Sequence, residues 1–367
     1  MKRFIRSVRA IPILAVLCGV TPCRAQQSGT VRTIPLTVVA PDGGIETALK
    51  PANFRVKGVQ ATVISLTLDR RPRRIYLMLD ISVNMSQTMI GALPGEMTAG
   101  PWNNAKDMAK QFLAALPASD SVSLYVFADE EKQLVPFTHN FAAIVGAIST
   151  LPEPDSKEAR RLYGRFPDFA DSALVALSSN PRQLSIGDYI AVFSDGDFLR
   201  TKKASTRKTL RILLSHGGRI LLFGSINDML LPSDLSIRYP EQYARDFVPG
   251  SGNVVTERFA VLNDFVRDAA SLALETGGTT FELEPQGRYF SVAPGIRGMA
   301  RPAEILSLMR EAALVAQNTY QMRLSLAQPL EKEKKIKIEL LDSRGKNVRR
   351  AFLLYPRRLE PRPKTSH

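Results

Sequence analysis

Three oxygen-bearing side chains stand at alternate positions of one short stretch: Asp80, Ser82 and Asn84. A carboxylate, a hydroxyl and an amide oxygen at this spacing suit a hard divalent cation, which takes few carboxylates and keeps several waters. Mg²⁺ is the expected ion, with Ca²⁺ and Mn²⁺ as alternatives. The same three residues also make a polar turn able to cap a following helix, and the triplet alone does not separate the two readings. A second acidic turn, Ser194-Asp195-Gly196-Asp197, comes later in the chain. Between them Asp168 stands just ahead of the helical stripe Ala170, Ala173, Leu174 and Leu177, where it makes a sound N-cap.

Other chemistry is poorly supplied. There is no Gly-x-Ser-x-Gly elbow and no phosphate loop. Ser205-Thr206-Arg207-Lys208 fits Ser-x-x-Lys, a four-residue match that chance readily provides. His139, His216 and His367 are far apart in sequence, which disfavours a zinc site. The expectation is a chain that is not an enzyme.

The elements that must hold these residues read clearly. Ile75 to Leu79 and Tyr189 to Phe193 are short apolar runs, each followed at once by a polar turn. Such runs suit parallel strands buried on both faces, and ligands in open α/β sheets bind just beyond the carboxyl ends of those strands. Ala105, Met108, Ala109, Phe112, Leu113 and Leu116 form a helical stripe between Pro101 and Pro117. Val122 to Phe127 and Gln133 to Phe137 read as a hairpin. Helices are expected at Leu210–Leu214, Phe259–Ala273 and Ile305–Ala316, and strands at Ile220–Phe223 and Thr279–Leu283. Ser86 to Gly100, Pro152 to Pro167 and Ser225 to Thr256 read as long connections. Strands alternating with helices predict an α/β domain over 73–317 with a doubly wound, mostly parallel sheet. Period-two patterns fill both flanks: Arg32 to Val39, Phe54 to Val56 and Thr62 to Leu68, then Tyr320 to Leu326, Lys335 to Leu340 and Val348 to Tyr355. They predict a small β module built from both chain ends, 26–72 and 318–357, with a basic tail over 358–367.

The stretch Asp80-Ile81-Ser82-Val83-Asn84 resembles the metal-ion-dependent adhesion site of von Willebrand factor A domains, whose pattern is Asp-x-Ser-x-Ser, with Asn84 as the departure. Ser194-Asp195-Gly196 is similar to the Thr/Ser-Asp-Gly turn in which that family's aspartate holds the metal through water. The resemblance places Asp168 at the family's third metal element, normally a threonine, where an extra carboxylate would favour Ca²⁺. The layout as a whole resembles the VWFA-related proteins frequent in acidobacterial genomes, with Asn53-Phe54-Arg55-Val56 at the place of their Asp-Phe-x-Val stretch. It implies a Rossmann-like fold and a protein-binding, adhesion-type module that takes a partner's acidic side chain on its cation. A degenerate, metal-free scaffold in the cell envelope is the alternative.

The ends add location and charge. Residues 1–25 read as an export signal: a basic start, an apolar run over Ile11 to Val20 too short to span a membrane, and small residues at Cys23 and Ala25. Both cysteines lie in that segment, so the exported chain would have no disulfides. A periplasmic or secreted protein without a transmembrane helix is expected. The full chain of 367 residues carries +14, and without the five basic residues of 1–25 it carries +9. Residues 331–367 hold 12 basic and 5 acidic side chains. That excess is either a solvated strand surface and tail or an attraction to an anionic envelope surface or polysaccharide; nucleic acid is not expected.

Overall fold

The central sheet has six described strands, and its inner ones are apolar on both faces. In the computed structural model the described residues are 31–40, 44–82, 85, 89–90, 97–98, 102–127, 131–154, 156–163, 184, 186–194, 210–211, 213–215, 217–224, 272–282, 302–348 and 351–361. In chain order the strands are β1 (Val31–Val39), β2 (Phe54–Lys57), β3 (Ala61–Leu68), β4 (Arg74–Asp80), β5 (Met89–Ile90), β6 (Met97–Thr98), β7 (Ser121–Phe127), β8 (Glu131–Thr138), β9 (Tyr189–Ser194), β10 (Arg219–Gly224), β11 (Thr279–Glu282), β12 (Tyr320–Leu326), β13 (Lys334–Lys335), β14 (Lys337–Leu340), β15 (Phe352–Leu354) and β16 (Arg358–Leu359). The described helices used below are α1 (Trp102–Ala115), α2 (Phe141–Ser149), α3 (Lys157–Tyr163) and α4 (Pro302–Gln317). None is long and apolar enough to cross a membrane.

The central sheet runs β11-β10-β9-β4-β7-β8, parallel throughout except for the antiparallel edge β8. Read from the β8 edge and counted by appearance, that order is third, second, first, fourth, fifth, sixth, the doubly wound order whose switch point lies between β4 and β9. Alternate residues feed two cores. Ile75, Leu77, Leu79, Ala191, Phe193, Leu221 and Phe223 pack under α1, α2 and α4. Tyr76, Met78, Ile190, Val192, Ile220 and Leu222 pack against Leu213, Leu272 and Ala273 on the opposite face.

A second sheet, β15-β1-β12-β3, is antiparallel and joins the two ends of the chain. The ladder β2–β14 extends the same pairing of ends, while β13–β16 pairs two segments of the C-terminal end with each other. Strand β1 explains the join. Its Ile34, Leu36 and Val38 enter the core of this module, while Val39 enters the core under α1 and Thr37 meets a buried arginine.

That arginine is Arg219, the first residue of β10, with no exposed surface. Its Nε and Nη2 donate to Gly277 O, its Nη1 to Tyr189 Oη (2.7 Å), Thr319 Oγ1 (2.9 Å) and Thr37 Oγ1 (3.2 Å), and its Nη2 to Leu354 O (3.4 Å). The acceptors come from both sheets and are all uncharged. Burial pulls the guanidinium pKa down from its ordinary value.

The sequence missed some elements and misplaced others. The connection expected over Pro152 to Pro167 contains α3, and α2 was not anticipated. Residues Arg358 and Leu359, expected in the basic tail, form β16. The helix pattern Ala170 to Leu177, the signal segment 1–25 and the connection 225–256 lie outside the described residues.

One charge at the junction of the sheets gives a pH prediction. Asp69, between β3 and β4, accepts from Arg71 Nη2 (2.8 Å) and from Gln321 Nε2 of β12 (2.9 Å). Burial pushes its carboxyl up, but these hydrogen bonds outweigh it and hold the pKa at about 2 against an ordinary 3.8. The folded value lies below the unfolded one, so the stabilisation is full above the ordinary value and fades as pH falls through the folded one. With solvent screening it is worth about 1 kcal/mol. Asp69→Asn is expected to lose that much in urea unfolding at neutral pH and to match the wild type at the acid end. A gap that persists there would mean packing, not charge.

Candidate functional site

The end of β4 sets the site. The apolar run carries Asp80 to the carboxyl rim of the sheet, yet the side chain remains fully buried. Leu79 pairs with Phe193, so Asp80 and Ser194 end neighbouring parallel strands side by side. Ser194 Oγ donates to Asp80 Oδ2 at 2.5 Å. Ser82 N donates to Asp80 Oδ1 at 2.8 Å, closing a tight Asx turn. Ile81 N still reaches Phe127 O of β7 at 2.9 Å, and Met85 N reaches Ser82 O at 3.0 Å. The chain therefore leaves the sheet and turns within five residues, with Ser82 itself 2% exposed.

Below this rim the strand ends are held by stacked rings. Phe193 lies over Phe223 at 4.4 Å, Phe223 over Phe281 at 5.2 Å, and Phe112 of α1 leans on Phe223 at 5.2 Å. Such stacks add to area burial and fix the ends of β9, β10 and β11 against α1. The strand ends that bear Asp80 and Ser194 thus stand above packed rings.

Of the residues expected from sequence, the structure brings Asp80 and Ser82 together at the switch point. Asn84, Asp168 and Asp195 lie outside the described residues. Sequence reasoning passed over Ser194 itself in favour of the aspartate after it. The signal was there: a serine ending an otherwise apolar strand that neighbours an aspartate-ended one. A second rim carboxyl, Glu131, sits across the ladder, since Asp80 pairs with Phe127 and Phe127 with Glu131. Burial pushes its pKa up, and its Oε2 is buried without a hydrogen bond.

The donor set fits a hard cation in kind. The Asp80 carboxylate accepts from Ser82 N and from Ser194 Oγ, and a carboxylate oxygen offers two lone pairs. Among the described residues no three His, Cys, Asp or Glu side chains gather. Among the described residues a cation here would meet one carboxylate and hydroxyl oxygens, donors that suit Mg²⁺ better than zinc.

No family model and no curated protein matches the chain. Solved structures resemble it at low identity. The conserved hypothetical protein BatB from Bacteroides thetaiotaomicron is 12% identical over 67% of this chain and 100% of that one, with a TM-score of 0.39. A von Willebrand factor type A protein from Catenulispora acidiphila is 11% identical over 87% of this chain and 76% of that one, with a TM-score of 0.40. Proximal thread matrix protein 1 from the mussel byssus is 11% identical over 71% of this chain and 50% of that one, with a TM-score of 0.39. The strand order, the antiparallel edge and an Asp-x-Ser turn at the switch point make the α/β layer a doubly wound domain with a polar rim.

Proposed function

We propose that this chain is an exported, non-enzymatic protein-binding module that engages an acidic side chain of a partner through a divalent cation. Asp80 and Ser82 would hold the ion, with Asn84 beside them, Asp195 acting through water and Asp168 as a further carboxylate. Mg²⁺ is the expected ion, and Ca²⁺ or Mn²⁺ would be accepted. The observation that carries this reading is the Asp80 carboxylate at the switch point of a doubly wound sheet, oriented by Ser82 N and Ser194 Oγ. It is also the place where open α/β sheets bind ligands. Von Willebrand factor A-type domains are generally interaction modules, which supports a binding role over catalysis.

One observation favours the alternative. Both oxygens of Asp80 are engaged by donors of its own chain, as they would be in a purely structural lock that closes the β4 turn on β9. The domain would then be an envelope scaffold with a degenerate site.

Thermal unfolding separates the two. A cation that binds only the folded state adds RT ln(1 + [L]/Kd), about 1.4 kcal/mol at tenfold excess over Kd. Millimolar Mg²⁺, Mn²⁺ or Ca²⁺ is expected to raise the Tm by a few degrees, and EDTA to reverse the rise. Asp80→Asn is the informative variant because Asp80 is buried: the amide keeps the side-chain shape and can bond both Ser82 N and Ser194 Oγ. It is expected to stay folded and lose the response. If none of the three cations shifts the wild type and calorimetry detects no binding, the scaffold reading stands.

A further inference from the structure

The β2–β14 ribbon has two unlike faces. Phe54, Val56, Ile336, Ile338 and Leu340 turn inward to the core of the end module. The alternate residues turn outward: Arg55 and Lys57 on β2, Lys335 and Lys337 on the other chain segment. Arg55, Lys57 and Lys337 have side chains 52%, 51% and 67% exposed, and Lys335 is exposed too. Lys57 pairs directly with Lys337 in the register, an arrangement that costs stability because like charges face each other. A single carboxylate sits beneath them. Glu339, opposite Arg55, takes Lys57 Nζ at 2.7 Å, Lys337 Nζ at 3.4 Å and Arg55 Nη1 at 4.0 Å. The Lys57 hydrogen bond holds the Glu339 pKa below its ordinary value, so the carboxylate stays ionised. It offsets one of the four cations and leaves the rest of the face positive.

We propose that this face docks on an anionic phospholipid surface. The ribbon is a two-stranded sheet face carrying separated point charges, which suits a plane of phosphates. Three of the four cations are lysines, which bind phosphate as point charges and not through a planar fork. Among the described residues no aromatic side chain stands in the outward row with them to stack a sugar or a base. A lipid surface also screens the Lys57–Lys337 repulsion. The docking does not depend on the cation site at Asp80.

The test is cosedimentation of the full chain with phosphatidylcholine vesicles, pure or doped with phosphatidylglycerol, at low salt. Binding is expected only to the doped vesicles and is expected to fall as salt rises. A basic residue near such a surface is worth about fivefold in affinity. Lys57→Gln with Lys337→Gln should therefore weaken binding about twenty-five-fold, with circular dichroism confirming the fold. Lys110→Gln with Lys157→Gln, a matched loss of charge on α1 and α3, should leave it within about twofold. The proposal is overturned if the wild type ignores doped vesicles, if the ribbon variant binds as the wild type does, or if the control pair weakens binding equally. It is also overturned if the chain binds a soluble anionic polysaccharide but not the vesicles.

Discussion

Arg219→Met is expected to destabilise the protein by about 3 kcal/mol in urea unfolding, a balance of charge-assisted hydrogen bonds against desolvation. The guanidinium makes hydrogen bonds to five residues, among them Tyr189 of one sheet and Thr37 and Leu354 of the other. A charge-assisted hydrogen bond contributes about 1.5–3 kcal/mol, and the cost of burying the ion is several kcal/mol. The bonds win because nearly every N–H is used. Methionine fills much of the space but removes the Arg219 donors from Gly277 O and Leu354 O. The hydroxyls suffer less: Tyr189 Oη and Thr319 Oγ1 already lie 2.5 Å apart, and Thr37 Oγ1 and Thr319 Oγ1 3.0 Å apart, so they can satisfy one another. Equal stability of the variant would show that burial of the charge cancels its bonds. Arg219→Lys is expected to fall as well, since one ammonium cannot reach Gly277 O and the Thr37–Thr319 pair together.

Gly278→Ala is expected to cost about 3 kcal/mol or more, beyond ordinary overpacking, because the obstacle is backbone. A Cβ there would stand 1.7 Å from Ile220 O and 2.7 Å from Ile220 C. β11 must begin at this point to pair Thr279 with Leu221, so any side chain pushes β11 off β10. Its neighbour Gly277 is as constrained: φ is +81°, and a Cβ would meet Pro356 N and Tyr355 C at 2.5 Å. Gly146 is the opposite case. It lies inside α2 with open space around it, and Gly146→Ala is expected to stabilise by up to about 1 kcal/mol. Paired urea titrations check both signs. A Gly278→Ala protein as stable as the wild type would contradict the close approach of β10 and β11.

The residues that sequence exposed best are those with one dominant physical demand. Ile75 to Leu79 has no polar option, so it reads as a doubly buried strand and delivers Asp80 to the rim. Tyr320 to Leu326 alternates strictly because one face meets a core and the other does not, and it lies in the end sheet as β12. Helix α2 escaped because its stripe is short and its burial is confined to Ile144 and Ile148. Arg219 escaped for a different reason. A charged residue at a strand start reads as a solvated end, and nothing local shows that five acceptors from distant segments converge on it. Ser194 likewise acts only through a strand far away in sequence. Pairings of that kind are properties of topology, and a single chain of letters does not carry them.

The pairing of the two ends also sets a clock. Thr37 meets Thr319, and Lys57 meets Glu339, each across 282 positions. Strands β1 to β3 are made first, but β12 to β15, which complete their sheet, are made last. Contacts this distant in sequence form slowly, since a long loop must close before they add any stability. During synthesis the first strands therefore stay open, their apolar residues unpaired, until the final segments arrive. The export proposed above would require the chain to stay unfolded for that whole interval, and this order of strands would withhold closure until it ends.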